Sequence, residues 1–221
     1  MHEVAKVTEE SGLRANLARG CVVFSDPELK NIQKNVRLYE NFNNKADGRI
    51  KVWFAPHAPY TCPPEYVEKI VEAAKSCNAG IHVHLAETLD EQRQIAEGYG
   101  KTPTEYLNDL GVFELPTLAA HSVYLNDTDI EILKAHNVGI AHNPTSNLKL
   151  ASGIANIPKY LQAGLNVGLG TDGCSSNNTL NMFKEMAICS FVQKVNAMNP
   201  TVLPAEEILN MATIGGAKVL R

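Results

Sequence analysis

Residues 80–87, GIHVHLAE, read as a buried strand that turns polar where it ends. Ile81, Val83 and Leu85 alternate with His82 and His84, so the two imidazoles share one side of the strand. Glu87 follows three residues after His84, past the strand end. Working outward, the same pattern recurs in RANLARG (14–20), KVWFAPH (51–57), TLAAHSV (117–123), VGIAHN (138–143) and NVGLGTD (166–172). Each is a short run of β-branched and small apolar residues, the composition of a strand covered on both faces.

Helical segments lie between these runs. Pro63 and Pro64 precede EYVEKIVEAAKSC, whose Val67, Ile70, Val71 and Ala74 fall on one face. Thr102 followed by Pro103 is an N-cap with proline at the first helical position. Asn126-Asp127 opens another helix, and TLNMFKEMAICSFVQKV and PAEEILNMATIGGAKVL close the chain. Strands alternating with helices predict an α/β fold with a parallel sheet. A doubly wound sheet and a closed (β/α)₈ TIM barrel both satisfy that order. His57, His84 with Glu87, His121, His142 with Asn143, and Asp172 each sit at the carboxyl end of a different strand. In a barrel those ends converge on one mouth; in an open sheet only the ones beside the switch point meet. The barrel is therefore preferred. Six strands fall short of eight, and 221 residues fall short of the roughly 250 of a whole barrel. The chain also opens inside a helix-like segment, HEVAKVTEESG. The expectation is one partial barrel domain over 1–221, with its first strands missing.

A net charge of −4 and a pI near 6.0 give no basic footprint for nucleic acid or for an anionic membrane. No apolar run is long enough to span a bilayer, and the charged start is not a signal peptide. Five scattered cysteines without a CxxC pair point to reduced thiols in a cytoplasmic protein. They also exclude the zinc deaminase design built on a P-C-x-x-C pair.

Several residues carry candidate chemistry, each beside a plainer reading. His84 offers an imidazole to a borderline metal such as Zn²⁺ or Fe²⁺, with Glu87 in reach of its water; a satisfied core histidine and a surface glutamate fit the same letters. His121 ends its strand alone, as many structural histidines do. Asp172 ends an otherwise apolar strand, where a carboxylate is costly unless paired or metal-bound. His57, in APHAPYTCPPE with prolines on both sides of Tyr60, could donate to a substrate ring nitrogen or brace its loop. His142 could line a pocket or brace a loop. Arg19 suits a carboxylate or ribose, or solvent. GLGTDG matches the spacing of a dinucleotide loop, but the residues that follow are helical rather than a second strand. Gly168, Gly170 and Gly173 are read instead as room for close packing.

Taken in order, LRANLARG, APHAPYTCPPE, HVHLAET, AAHSVYL, GIAHNPTSNLKLASG and GTDGCSSNN resemble the amidohydrolase superfamily, specifically its 5′-methylthioadenosine/S-adenosylhomocysteine deaminases. The resemblance implies hydrolytic deamination of an adenosine-type nucleoside to the inosine analogue and ammonia. It implies one divalent metal, zinc first, with iron or manganese as alternatives, and a small-molecule substrate. His84 and Asp172 become metal ligands. Glu87, His121 and Asp172 become catalytic, as proton shuttle, support for developing charge, and base. Arg19, His57, Glu87 and Asp172 become substrate contacts. A second arginine of part of the family falls near Asn31, which weakens the case for S-adenosylhomocysteine. The family's strand-1 His-x-His pair has no counterpart here, which implies a missing N-terminal part that includes a β-sandwich segment. The rivals are a related triazine, guanine or pterin hydrolase and an inactive barrel fragment. Open sheet edges lead to the expectation of a homo-oligomer that binds metal weakly.

Overall fold

The computed structural model describes residues 1–26 and 28–220. Six strands are present: β1 (Ala15–Cys21), β2 (Ile50–Pro56), β3 (Ile81–Leu85), β4 (Thr117–His121), β5 (Gly139–His142) and β6 (Asn166–Leu169). They form one sheet in chain order, β1-β2-β3-β4-β5-β6. The pairings of β1 with β2, β2 with β3, β4 with β5 and β5 with β6 are parallel. Helices follow the strands, as the alternation predicts. Each apolar run holds its strand, and the chain turns sharply at or beyond the ends of β3, β4 and β6. Ala86, His121, Ser122 and Asp172 all have φ between 49° and 73°, in the left-handed region that breaks a ladder.

The contacts divide the chain into two compact units, Met1–Val83 with Leu107–Thr117, and His84–Tyr106 with the chain from Leu118 onward. In the first unit, Leu17 of β1 and Ile50 and Val52 of β2 pack with Leu38 of the helix Lys30–Phe42 and with Ala5. That helix carries Asn35 into its packed face. The Asn35 side chain accepts from the Arg19 amide at 2.7 Å and donates to the Trp53 carbonyl at 2.8 Å. One fully buried amide thus ties the helix to two strands, and pairing both of its ends is what makes its burial tolerable. The helix Pro64–Ser76 buries Val67, Ile70, Val71 and Ala74, the predicted face, together with Tyr66.

The second unit buries Leu85, Ala119, Leu133, Ile140 and Tyr160. Its helix Asp127–Ala135 starts with a complete capping box between Asn126 and Asp129. Its strands lie close to the chain's last segment. A Cβ added to Gly168 would come within 2.8 Å of the Gly216 Cα, and one on Gly139 within 2.9 Å of the Val219 backbone. The reading of glycines as packing room therefore holds at Gly168, but nothing lies near a Cβ at Gly173. The helix Met182–Asn196 is inside out. It buries Glu185, Cys189 and Gln193, while Phe183, Phe191 and Val195 are exposed. Among the described residues no helix is long and apolar enough to cross a membrane.

Candidate active site

The second unit gathers His84, Glu87, His121 and Asp172. His84, half-buried, is the last residue but one of β3, and the turn beyond the strand presents Glu87. β4 ends with His121, only 1% exposed. The His84 and His121 rings stack at a centroid distance of 5.4 Å and an angle of 20°. His121 Nδ1 lies 2.7 Å from Asn147 Oδ1. A carbonyl oxygen only accepts, so Nδ1 carries the proton and Nε2 keeps its lone pair. Nε2 faces Glu87 Oε2 at 3.8 Å. The other Glu87 oxygen accepts from Ser152 Oγ at 2.9 Å. Burial lowers the His121 pKa, against the opposing pull of Glu87 and Asn147. Burial thus favours the neutral imidazole at His121 over an ion pair with Glu87. Two acceptors then face each other, an arrangement that favours a proton donor or a cation between them.

Asp172 stands just past β6 in a left-handed conformation, φ 56°. Its Oδ2 accepts from Ser146 Oγ and Ser176 Oγ, both at 2.7 Å, and its Oδ1 from the Gly173 amide at 2.6 Å. Burial works against the charge, but these three donors outweigh it and hold the carboxyl below its ordinary value. Asp172 and His84 both act electrostatically on His121, so the four residues form one coupled group. The loops that carry them are pinned by a buried glutamate. Glu185 accepts from the Thr145 amide at 3.1 Å and from Asn177 Nδ2 at 2.8 Å, and Asn177 also donates to the Thr171 carbonyl.

His142, at the end of β5, is 2% exposed, and neither ring nitrogen has a hydrogen-bond partner. Burial, then the neighbouring His121, pushes its pKa down to about 3. His82 is exposed on β3.

Arg19 and His57 belong to the first unit. Arg19 Nε donates to Asn31 Oδ1 at 3.0 Å. The Asn31 amide donates to Asp26, which also accepts from the Tyr66 hydroxyl. His57 Nδ1 is 2.9 Å from Thr61 Oγ1, whose proton is directed to the Ala58 carbonyl; Nδ1 is then the donor. The loop-bracing reading of His57 thus describes one of its nitrogens.

Asn147, Ser146, Ser152, Ser176, Glu91 and Glu185 were not singled out from the sequence. Ser146, Asn147 and Ser152 lie within GIAHNPTSNLKLASG, and Ser176 within GTDGCSSNN. Glu91 had a readable signal, the Thr88-x-x-Glu91 spacing of a capping box.

The donor chemistry fits a divalent ion of borderline character. Imidazole and carboxylate are its usual ligands, and the Asp172 carboxylate is oriented by outer hydrogen bonds from Ser146 and Ser176, as ligating groups commonly are. The fit is that of part of a ligand set. Among the described residues no group of three or more His, Cys, Asp or Glu side chains is arranged to hold a metal.

A 5-methylthioadenosine/S-adenosylhomocysteine deaminase of Pelotomaculum thermopropionicum is 54% identical over 220 residues, covering 100% of this chain and 51% of that protein. The chain spans about half the length of the curated relatives it matches. An adenosine deaminase of Xanthomonas campestris, solved with bound zinc, superposes with a TM-score of 0.90 at 33% identity, over 98% of this chain and 50% of that one. A guanine deaminase of C. acetobutylicum with bound guanine gives a TM-score of 0.89 at 25% identity, over 99% and 55%. The amidohydrolase family profile matches residues 1–221, and this chain, with its sheet of six strands in sequence order, belongs to the amidohydrolase family.

Proposed function

We propose that this protein is a metal-dependent deaminase that replaces the exocyclic amine of an adenosine-type nucleoside with oxygen, taking up water and releasing ammonia. The observation that carries the reading is the placement of Glu87, with one carboxylate oxygen on Ser152 and the other facing neutral His121. His84 and Asp172 would hold a divalent metal, zinc in first place, supplying the acidity that makes water a nucleophile near neutral pH. Asp172, already held as a carboxylate by three donors, takes a water proton. Glu87 takes one proton of the water and delivers it to the ring nitrogen beside the reacting carbon, and the second water proton, held by Asp172, passes to the departing amine with the assistance of Glu87. His121 supports the charge that develops on the attacked centre. Arg19 and His57 are assigned to the substrate. The named activity of the relatives supports 5′-methylthioadenosine or S-adenosylhomocysteine as the substrate. The Arg19–Asn31 pair, which leaves one arginine where part of the family has two, favours the former.

Ammonia release from 5′-methylthioadenosine, S-adenosylhomocysteine, guanine and a chlorotriazine tests the reading. Turnover confined to the adenosine analogues is expected; turnover of guanine or the triazine alone would replace it with the rival.

The same proposal treats 1–221 as one partial barrel domain of a cytoplasmic protein, in keeping with five unpaired cysteines. It also takes the chain to associate with copies of itself. The exposed stripe of Phe183, Phe191, Val195 and Met198 supports that. Light scattering should find a dimer or larger; a monomer would contradict it.

A further inference from the structure

Two segments of the second unit share the spacing Thr-x-x-Glu at a helix start, and they close differently. At Thr102, both arms of the capping box form. The Glu105 amide donates to Thr102 Oγ1 at 3.1 Å, and the Glu105 carboxylate accepts from the Thr102 amide at 2.8 Å. At Thr88 only the first arm forms, from the Glu91 amide to Thr88 Oγ1 at 3.1 Å. The Glu91 carboxylate instead reaches back past the cap. Oε1 accepts from the Ala86 amide at 2.9 Å and Oε2 from the Glu87 amide at 2.8 Å. Ala86 has φ 51°, a left-handed conformation that a residue with a Cβ keeps only when its surroundings enforce it. Glu91 is 1% exposed, a costly place for a carboxylate whose only task is to cap a surface helix.

We propose that Glu91 is a positioning residue for Glu87, holding the turn from β3 through two consecutive amides. This rests on the acid–base role proposed for Glu87 above. Glu91 fixes the main chain at Glu87 while Ser152 fixes the carboxylate, so the group is held from both ends. A carboxylate can receive both amides; a carboxamide has one acceptor and turns an N–H₂ against the second amide.

The test is amide hydrogen exchange by NMR on the 221-residue chain. In Glu91→Gln, the Ala86 and Glu87 amides should exchange tenfold faster or more, with the Ile140 amide in β5 unchanged. Thr88→Ala, which cuts only the helix cap, and Ser152→Ala should leave both amides protected. The Glu87 side-chain carboxyl resonance should move in Glu91→Gln and not in Thr88→Ala. Unchanged exchange in Glu91→Gln, or equal effects of Glu91→Gln and Thr88→Ala, would overturn the proposal. If Glu91→Gln does not fold, the unsubstituted chain answers. Burial, against the pull of the two amides, raises the Glu91 pKa to about 7. Both amide protons should then follow one shared titration between pH 5 and 9, and flat or unrelated profiles would overturn the proposal. None of these readouts needs metal or turnover, so failure of the deaminase reading leaves them intact.

Discussion

The polar residues of the two units are used in opposite ways. In the first unit they are consumed by the fold. Asn35 spends both ends of its amide on β1 and β2, Asp26 takes Tyr66 and the Asn31 amide, and the Cys62 thiol donates to the Cys21 carbonyl. Asn16 is an exception, with both side-chain polar atoms buried and unpartnered. In the second unit the polar groups face one another with capacity left over. His121 Nε2 confronts Glu87, His142 has neither nitrogen satisfied, and the Asn147 amide nitrogen is unpartnered. Three of its turns, at Ala86, His121 and Asp172, are held in left-handed backbone. Unmet polar capacity costs stability, and its concentration beside such turns is the mark of a site kept for chemistry.

That contrast makes the second unit sensitive in activity and the first sensitive in stability. The largest expected effect is Glu87→Gln, which should lower the turnover of ammonia release by about 10²–10⁴-fold while barely moving the melting temperature. Full turnover would break the comparison. Asn35→Ala strands the Arg19 amide and the Trp53 carbonyl, so urea unfolding should show a loss of about 2–4 kcal/mol with little change in chemistry per folded molecule. Away from the cluster the second unit is packed as tightly as the first, so Gly168→Ala, which forces a methyl against Gly216, should cost about 1–3 kcal/mol in the same assay.

Protonation gives a smaller and graded effect. The His142 pKa falls in the folded state from its ordinary 6.5 to about 3, so the unfolded chain binds the extra proton. Its contribution is present above pH 6.5 and is lost as the pH falls toward 3, at about 1.4 kcal/mol per unit. Glu91 runs the other way. Its folded pKa of about 7 exceeds the ordinary 4.5, so its contribution is present below pH 4.5 and lost as the pH rises to 7. The two offset between pH 4.5 and 6.5. His142→Asn should remove one side, so the stability gap between variant and parent should widen in the variant's favour as the pH drops below 6.5. A constant gap in urea unfolding from pH 7 to 5 would contradict the burial argument.

The strands were legible because each is a short, mostly apolar run, even where Asn16, Lys51, His82 and His84 interrupt it, and the site histidines and acids could be found at or just past their ends. Two helices gave less. In Lys30–Phe42 the residue at the centre of the buried face is Asn35, which no hydrophobic pattern marks, and Leu89–Tyr99 buries only Ile95 and Glu91. Met182–Asn196 was visible as a helix, but hydrophobicity would have turned its wrong face inward, since Glu185 is what the loops of the site require. The partners of the site were hidden for a different reason. Ser152 meets Glu87 across 65 residues and Asn147 meets His121 across 26, and nothing local in the chain announces such pairs.

The central claim is that the cluster in the second unit is directed at a metal through His84 and Asp172. Zinc titration calorimetry on the chain and on the double variant His84→Gln/Asp172→Asn tests it most directly. The account predicts weak zinc binding by the chain that drops at least tenfold in the variant. Equal zinc affinity in the two proteins would contradict it.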